Sequence, residues 1–505
     1  MGDKLRNLLK KHPRRVQRFL EMLPGTATWL IILFPLWGAL FVPRIVAYFT
    51  IAFLVYWFYR SFTGAILGTK GYIKIRRSEK INWQQKYKQE KENNHFNWQE
   101  IRHLIIIPNY NESIEKLSTT LSHIAKQKDI NKNQLLVVLA MEERAEGSHE
   151  RAKQLVKKFK GQFGRLITTF HPANIIGEVK GKASNEAWGA KQAKKLFIDQ
   201  EGYDISKIIL TTCDADACFH PKYFSALTYH FIKNKNRYLR FWQSPMFNHN
   251  NPWHLPIFIN IVSTLSNILH LAFIQEPDNL FLNYSTYSVS LKMIDDIGYW
   301  HTDIIPEDWH IFLQCFFHKE GKVEVAAIFL PTSIDAPEAK TYLGSLKNRY
   351  EQCKRHAWGA TDIPYAVKQG IKHPEIPRWS RFLRIYKLFE CHLLWPTNWF
   401  ILTLGGWVPA LINPVFSQTT LGYNLPKIAQ IILTICLISL AIIITLDLIL
   451  RPKKEKIPFW KYLKEYLQWI FMPAATLLMA ILPALDAQTR LMLGKRIEYR
   501  VTEKV

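Results

Sequence analysis

Cysteine is scarce in this chain: six in 505 residues, with no C-x-x-C pair. Cys213 and Cys218 are five positions apart and lack His partners at ligand spacing, which argues against a zinc site or a disulfide framework. Acidic residues are also short. Lys and Arg number 66 against 41 Asp and Glu, a formal net charge of +25. Such a balance suits a nucleic-acid binder, a membrane-surface protein or a handler of anionic substrates. No nucleic-acid-binding motif is present, and that class is disfavoured. Long repeats and low-complexity blocks are missing. No small-residue cleavage site follows the first apolar run, so that run is not a removed signal. Arg6 stands where myristoylation after Met1-Gly2 needs Ser or Thr.

Long hydrophobic runs, by contrast, are abundant. Thr26–Val42, Ile45–Phe62, Leu393–Phe416, Ile428–Leu450 and Tyr466–Leu485 are almost uncharged. A membrane-spanning helix needs about 20 mostly apolar residues, and these meet or approach that length. Lys10, Lys11, Arg14 and Arg15 precede the first run; Lys70, Lys74, Arg76 and Arg77 follow the second. Both basic flanks are expected on the cytoplasmic side, with residues 63–390 between the spans there too. The basic loop Arg451–Lys456 fits the same side. A fifth span would put the basic tail Lys495–Lys504 outside, against that rule. Pro473 and Pro483 offer a kinked, re-entrant alternative. The expected organisation is a basic interfacial leader (1–25), two transmembrane helices (26–62) and a linker (63–100). A soluble domain (101–375) and an interfacial segment (376–392) follow. Two more transmembrane helices (393–450) precede a basic loop, a spanning or re-entrant segment and a basic tail (451–505).

From residue 101 the pattern alternates. Leu104–Ile107, Leu135–Leu139, Arg165–Phe170 and Ile208–Leu210 read as short strands, and Ser113–Gln127, His149–Lys160 and Ala183–Phe197 as helices. That alternation predicts an α/β domain with a mostly parallel sheet covered on both faces. Ligands of such sheets bind beyond the C-terminal strand edges. Two polar segments fall there: Pro108–Glu112, and Asp214-Ala215-Asp216. Alternate side chains of an extended segment point the same way, so Asp214 and Asp216 can share a hard divalent cation, which in turn can hold a pyrophosphate. Leu255–Phe273 is apolar but carries Asn260, Asn267 and His270. It reads either as a helix at the membrane interface or as a core helix. Lys80–Asn97 reads as a solvated linker.

Several short motifs occur in a recognisable order. They are Pro108-Asn109-Tyr110-Asn111-Glu112, Lys180-Gly181-Lys182-Ala183-Ser184-Asn185, Asp214-Ala215-Asp216 and Gln243-Ser244-Pro245. Ile297-Gly298-Tyr299-Trp300 follows, then Glu307-Asp308 and Gln352-Cys353-Lys354-Arg355. Together these segments resemble a membrane-integrated family-2 glycosyltransferase with a Rossmann-like GT-A fold, related to cellulose-synthase-like enzymes. The resemblance covers residues 101 to about 360. It implies a nucleotide-sugar donor, and Mg2+ or Mn2+ held by Asp214 and Asp216. Asp308 matches the catalytic base, implying inversion at the anomeric carbon, and Arg355 matches the pyrophosphate contact. Tyr110, Glu112 and Lys182 are expected at the nucleotide or its phosphates. Either Glu142 or Glu143 is expected near the base and ribose. Gln243, Glu307 and Gln352 are expected toward the sugar or acceptor.

One position departs from the pattern. The family's Q-x-x-R-W ends here in His356, and a smaller, titratable ring stands where a Trp offers a flat acceptor platform. Trp358, two positions on, does not share a helical face with it. The expectation is transfer to a growing polysaccharide or glycan acceptor, or else to a lipid carrier. Membrane lipids are the surroundings and nucleic acid is not a partner. The expected place is a bacterial inner (plasma) membrane, with the catalytic domain cytoplasmic. A non-catalytic membrane scaffold or transporter is the alternative of another class, disfavoured by the intact Asp214, Asp216, Asp308 and Arg355.

Overall fold

The computed structural model describes residues 2–90, 96–276, 280, 282–452 and 458–498. Parts of the expected linker, of the basic loop after Arg451 and of the basic tail lie outside the described residues. A short helix at Gly2–Lys11 precedes two long helices, α1 (Pro13–Phe41) and α2 (Pro43–Lys80). The first four strands follow: β1 (Arg102–Asn109), β2 (Leu135–Glu142), β3 (Arg165–His171) and β4 (Ile208–Thr212). Helix α3 (Lys182–Lys194) precedes β4. Next come β5 (Cys218–Phe219), β6 (Arg240–Gln243), β7 (Met246–Phe247) and helix α4 (Ile257–Phe273). Strand β8 (Tyr287–Ser290), helix α5 (Glu307–His318), β9 (Glu324–Ala327), β10 (Thr332–Ser333) and helix α6 (Tyr342–Ala357) complete the catalytic domain.

The main sheet has seven strands in the order β3-β2-β1-β4-β8-β6-β9. Pairing is parallel except where β8 meets β4 and β6. The expected α/β class with a mostly parallel sheet is therefore present. Its apolar runs alternate between two cores. Leu104, Ile106, Val138 and Leu210 pack with Ala183, Ala187 and Ala190 of α3. Ile105, Ile107, Val137 and Ile209 pack on the other face with Leu117, Leu121 and Leu155. Burying each such side chain contributes about 1.5–3 kcal/mol. Small residues let α3 lie close to the sheet: a Cβ at Gly189 would stand 3.3 Å from the Ala140 Cβ. Asn185 Nδ2, from the same helix, donates to Ala140 O (2.7 Å).

Three further helices follow: α7 (Arg378–Leu404), α8 (Thr420–Leu450) and α9 (Phe459–Met492). Four helices, α1, α2, α8 and α9, are long and apolar enough to cross a membrane. The run Leu393–Phe416 is not one continuous helix. Its first part belongs to α7, whose N-terminal half carries Arg378, Arg381, Arg384 and Lys387. The helix ends before Gly405-Gly406, and two short helices at Val408–Ile412 and Pro414–Ser417 follow. Helix α9 runs on through Pro473 and Pro483 with irregular turns at Gln468–Phe471 and Leu477–Ile481, rather than forming a hairpin.

The expected linker differs as well. Helix α2 continues to Lys80, and Trp83–Gln89 forms a helix whose Trp83 and Tyr87 are buried in the second core. Two aromatics at i and i+4 anchor a segment whose polar majority hides them from a compositional reading.

Candidate active site

A large cavity of about 1530 Å³ opens at the C-terminal edge of the sheet. Asp214 lies two residues past the end of β4. Its backbone N donates to Thr286 Oγ1 (3.3 Å), and its Oδ2 accepts from Ser285 Oγ (2.5 Å). Asp216 is buried, and its Oδ2 accepts from Asp335 N (2.7 Å). Both carboxylates line the cavity. Among the described residues no group of three or more His, Cys, Asp or Glu could hold a metal ion by itself. Two carboxylates still fit a hard divalent cation, because such ions take one or two protein carboxylates and complete their shell with phosphate and water oxygens.

Lys182 begins α3 and reaches across the site. Its Nζ lies 3.0 Å from Asp214 Oδ1, 2.9 Å from Glu307 Oε1 and 3.7 Å from Glu186 Oε1, and it donates to Ser285 O (2.7 Å). Burial opposes the ammonium charge, but Asp214, Glu307 and Glu186 outweigh it and hold the pKa well above the usual lysine value. Glu186 itself is fully buried; burial pushes its pKa up, and Thr212 Oγ1 donates to it.

Asp308 sits in the first turn of α5, where the helix dipole favours a carboxylate. Its Oδ2 accepts from Ser285 N (3.0 Å) and its Oδ1 from Trp309 N (2.8 Å). Burial first, then the Glu307 charge, push the Asp308 pKa up to about 7; the two backbone donors and Lys182 pull the other way. A carboxyl tuned toward neutrality in a cleft is the pattern expected of a general base.

Other expected residues separate into two groups. Tyr110, Glu112, Glu142, Lys182, Glu307, Gln352, Arg355 and His356 all line the cavity. Glu112 Oε2 accepts from Tyr110 N (2.6 Å), and Arg144 bridges the Tyr110 ring, 4.7 Å from its centroid, and Glu142 Oε2 (2.9 Å). The open choice between Glu142 and Glu143 resolves in position: Glu142 is buried at the cavity, whereas Glu143 is outside its lining and meets His149 (2.9 Å).

Gln243 does not face the cavity, contrary to expectation. It is fully buried; its Nε2 donates to Ser244 O and Thr286 O, and its Oε1 accepts from Tyr284 N (2.8 Å). With its amide committed to the 284–286 backbone, it holds the Ser285 loop rather than a sugar. Trp358 is also outside the lining and packs against Ala484 and Ala487 of α9.

Two cavity residues gave no sequence signal. Ser285 contacts both Asp214 and Asp308, yet it lies in an ordinary polar stretch before β8. Arg349 lines the wall beside Gln352, donating from Nη1 to Gln352 Oε1 (2.9 Å). Burial lowers its pKa, and its Nε is buried without a partner in the structure.

The family described as Glycosyl transferase family group 2 matches residues 209–485, more than half of the chain. The chain belongs to this family. As a family-2 glycosyltransferase it has the expected GT-A class of fold, with membrane helices around the sheet domain. No curated protein matches the enzyme at a significant level. Among solved structures it is similar to a mannosyltransferase, PcManGT from Pyrobaculum calidifontis, in complex with GDP-Man and Mn2+. Identity is 13%, covering 88% of this chain and 100% of that one, with a TM-score of 0.44. It is also similar to residues 1–349 of TarS from S. aureus in complex with UDP, at 14% identity over 65% of this chain and 88% of that one, with a TM-score of 0.32.

Proposed function

We propose that this glycosyltransferase is inverting and metal-dependent, moving a sugar from a nucleotide-sugar donor to the hydroxyl of a glycan or lipid acceptor on the cytoplasmic side of a membrane. The supporting observation is the shared loop residue: Ser285 bonds Asp214 through Oγ and Asp308 through its backbone N. One member of the acidic pair, Asp214, and the acceptor's base are thus tied to the same loop residue.

Asp214 and Asp216 would hold Mg2+ or Mn2+, which when bound neutralises charge on the leaving diphosphate. Arg355 offers a planar, permanently charged contact to the same group. Tyr110, Glu112 and Glu142 form the nucleotide side of the cavity. Lys182 is a positioning residue: its ammonium joins Asp214 to Glu307 and keeps these carboxylates from repelling one another. Asp308 takes the acceptor proton as the hydroxyl attacks the anomeric carbon opposite the diphosphate, so configuration inverts. Gln352 and His356 line the wall on the acceptor side.

Replacing the base tests this reading. Asp308→Asn is expected to lower transfer by about 10²- to 10⁴-fold with donor affinity retained, because the carboxylate acts in the transition state. A folded variant that transfers at the native rate would refute it.

A further inference from the structure

The cavity does not end at the carboxylates, and its chemistry changes along its length. Beyond Asp308 it reaches a charge-balanced cluster. Glu276 meets Arg60 (3.4 Å) and Lys387 (2.9 Å), while Glu390 meets Lys387 (3.3 Å) and accepts from Tyr56 Oη (2.7 Å). Farther on the walls are mostly apolar, with Ser61, Thr63, Asn398 and Ser439 interspersed. Helix α2 contributes Gly64 and Leu67, α7 contributes Leu402, and α8 contributes Leu433, Leu440 and Ile443. These positions recur at three- and four-residue steps, so one face of each of two potential membrane-spanning helices borders the cavity.

This apolar end is open. Leu437 lines the cavity and is 55% exposed; Thr403 and Pro473 also line it and are exposed. They come from α8, α9 and the end of α7, so the mouth opens between the long apolar helices rather than in the sheet domain. At the mouth Trp399 Nε1 donates to Pro473 O (2.9 Å). Indole rings favour the head-group depth of a membrane.

Size and wall chemistry restrict the occupant. Sites for single small molecules run roughly 300–1,000 Å³, so this cavity has room for a donor and a second molecule. A threaded glycan would bring many hydroxyls past Leu67, Leu402, Leu433, Leu440 and Ile443, with only Ser61, Thr63, Asn398, Thr403, Ser439 and Thr476 among them to offer side-chain hydrogen bonds. A hydrocarbon chain has no such requirement.

We propose that the acceptor is an amphiphile with a neutral hydroxyl head group, whose head enters through the mouth at Leu437, Thr403 and Pro473 and whose tail stays between α2, α7 and α8. The proposal rests on the donor-transfer reading above and adds the acceptor's class. The head-group oxygen forms the new bond to the anomeric carbon. The bond from that carbon to the diphosphate oxygen breaks, and the nucleoside diphosphate leaves with the electron pair. The hydroxyl proton passes to Asp308. A phosphate head fits less well: it brings no proton that requires a base, and the cluster along the route matches Arg60 and Lys387 with Glu276 and Glu390.

The test uses the full-length enzyme in dioleoylphosphatidylcholine vesicles with a radiolabelled nucleotide sugar that supports nucleoside diphosphate release. Acceptors are offered as matched pairs differing in the tail: dioleoylglycerol against glycerol, and dodecyl maltoside against maltose. Geranylgeranyl phosphate is a separate arm. The expected result is label on at least one tailed hydroxyl acceptor, at least about tenfold above its tail-less partner. Leu440→Trp, which fills the apolar section, should lower that transfer by about tenfold, whereas Ile438→Trp, on the exposed face of α8, should leave it within about twofold. Equal use of the tail-less partner, label in a water-soluble polymer, preference for geranylgeranyl phosphate, or equal effects of the two Trp variants would overturn the proposal. Nucleoside diphosphate release without label on any tailed hydroxyl acceptor overturns this proposal alone. No release from any donor overturns the donor-transfer reading and this proposal with it.

Discussion

Ser285 joins the two halves of the chemistry, and the residues around it carry the sharpest predictions. Asp308 must be deprotonated to accept a proton, and burial pushes its pKa up to about 7. The sign follows: transfer should climb with pH, by about tenfold per unit below that value, and level off above it. A pH–rate profile with saturating donor checks this; a rate already flat from pH 5 would contradict it. Asp214→Asn and Asp216→Asn should each weaken donor binding in the presence of Mg2+ or Mn2+, by about tenfold or more, as read by calorimetry with the nucleotide sugar. Gln243→Ala should slow transfer by loosening the 284–286 loop, with Gln243→Glu failing to rescue, since the Ser244 and Thr286 carbonyls need an N–H donor. Most of these residues were legible because acidic and basic side chains at strand ends stand out against apolar runs. Ser285 and the backbone-binding role of Gln243 were not. A serine gives no periodic signal, and a buried amide has the same letter whether it grips a sugar or a carbonyl.

At the scale of elements, the strands that were legible are the apolar ones. β1, β2 and β4 are fully flanked by helices and read as continuous runs. Strand β8 hid because only one of its two buried faces is apolar: Tyr287 and Val289 join the first core, while on the other face Ser288 Oγ bonds both Thr211 Oγ1 (2.8 Å) and Tyr223 Oη (2.9 Å). Such a buried pairing satisfies its hydrogen bonds and needs no apolar residue. Ile106 represents the legible kind, and Ile106→Ala should lower stability by about 2–5 kcal/mol, seen as a shift in thermal unfolding. The apolar run after Leu393 did not show its helix end, because hydropathy does not register where Gly405-Gly406 interrupts a helix. Helix α9 raises a question of side. Near its start Glu465 bonds Asn260 and Arg451; near its end Lys354 approaches Asp486 (3.6 Å), and Arg18 donates to Leu491 O (2.6 Å). Both ends therefore touch elements that the basic flanks assign to the cytoplasm, and α9 should lie along the interface without crossing. A reporter fused after Val505 should be cytoplasmic; a periplasmic signal would show that α9 spans.

For the whole molecule, α2 and α8 carry the sheet domain at one end, and a cavity runs from the strand edges down between them. The asymmetry of charge in the sequence fits that arrangement, because basic flanks beside the first two apolar runs set one orientation for everything between the spans. A cysteine at Gln89, which is exposed, should resist a membrane-impermeant thiol reagent in intact cells and react after lysis. Labelling in sealed cells would reverse the orientation. The central claim is that the carboxylates around Ser285 turn over a nucleotide sugar with a divalent cation. Its most direct measurement is nucleoside diphosphate release by the purified, bilayer-reconstituted protein across a panel of UDP- and GDP-sugars, with Mg2+ or Mn2+ and then with excess chelator. The account predicts release from at least one donor, lost in chelator and in Asp214→Asn. Release that persists undiminished in both, or no release from any donor by the native protein, would contradict it.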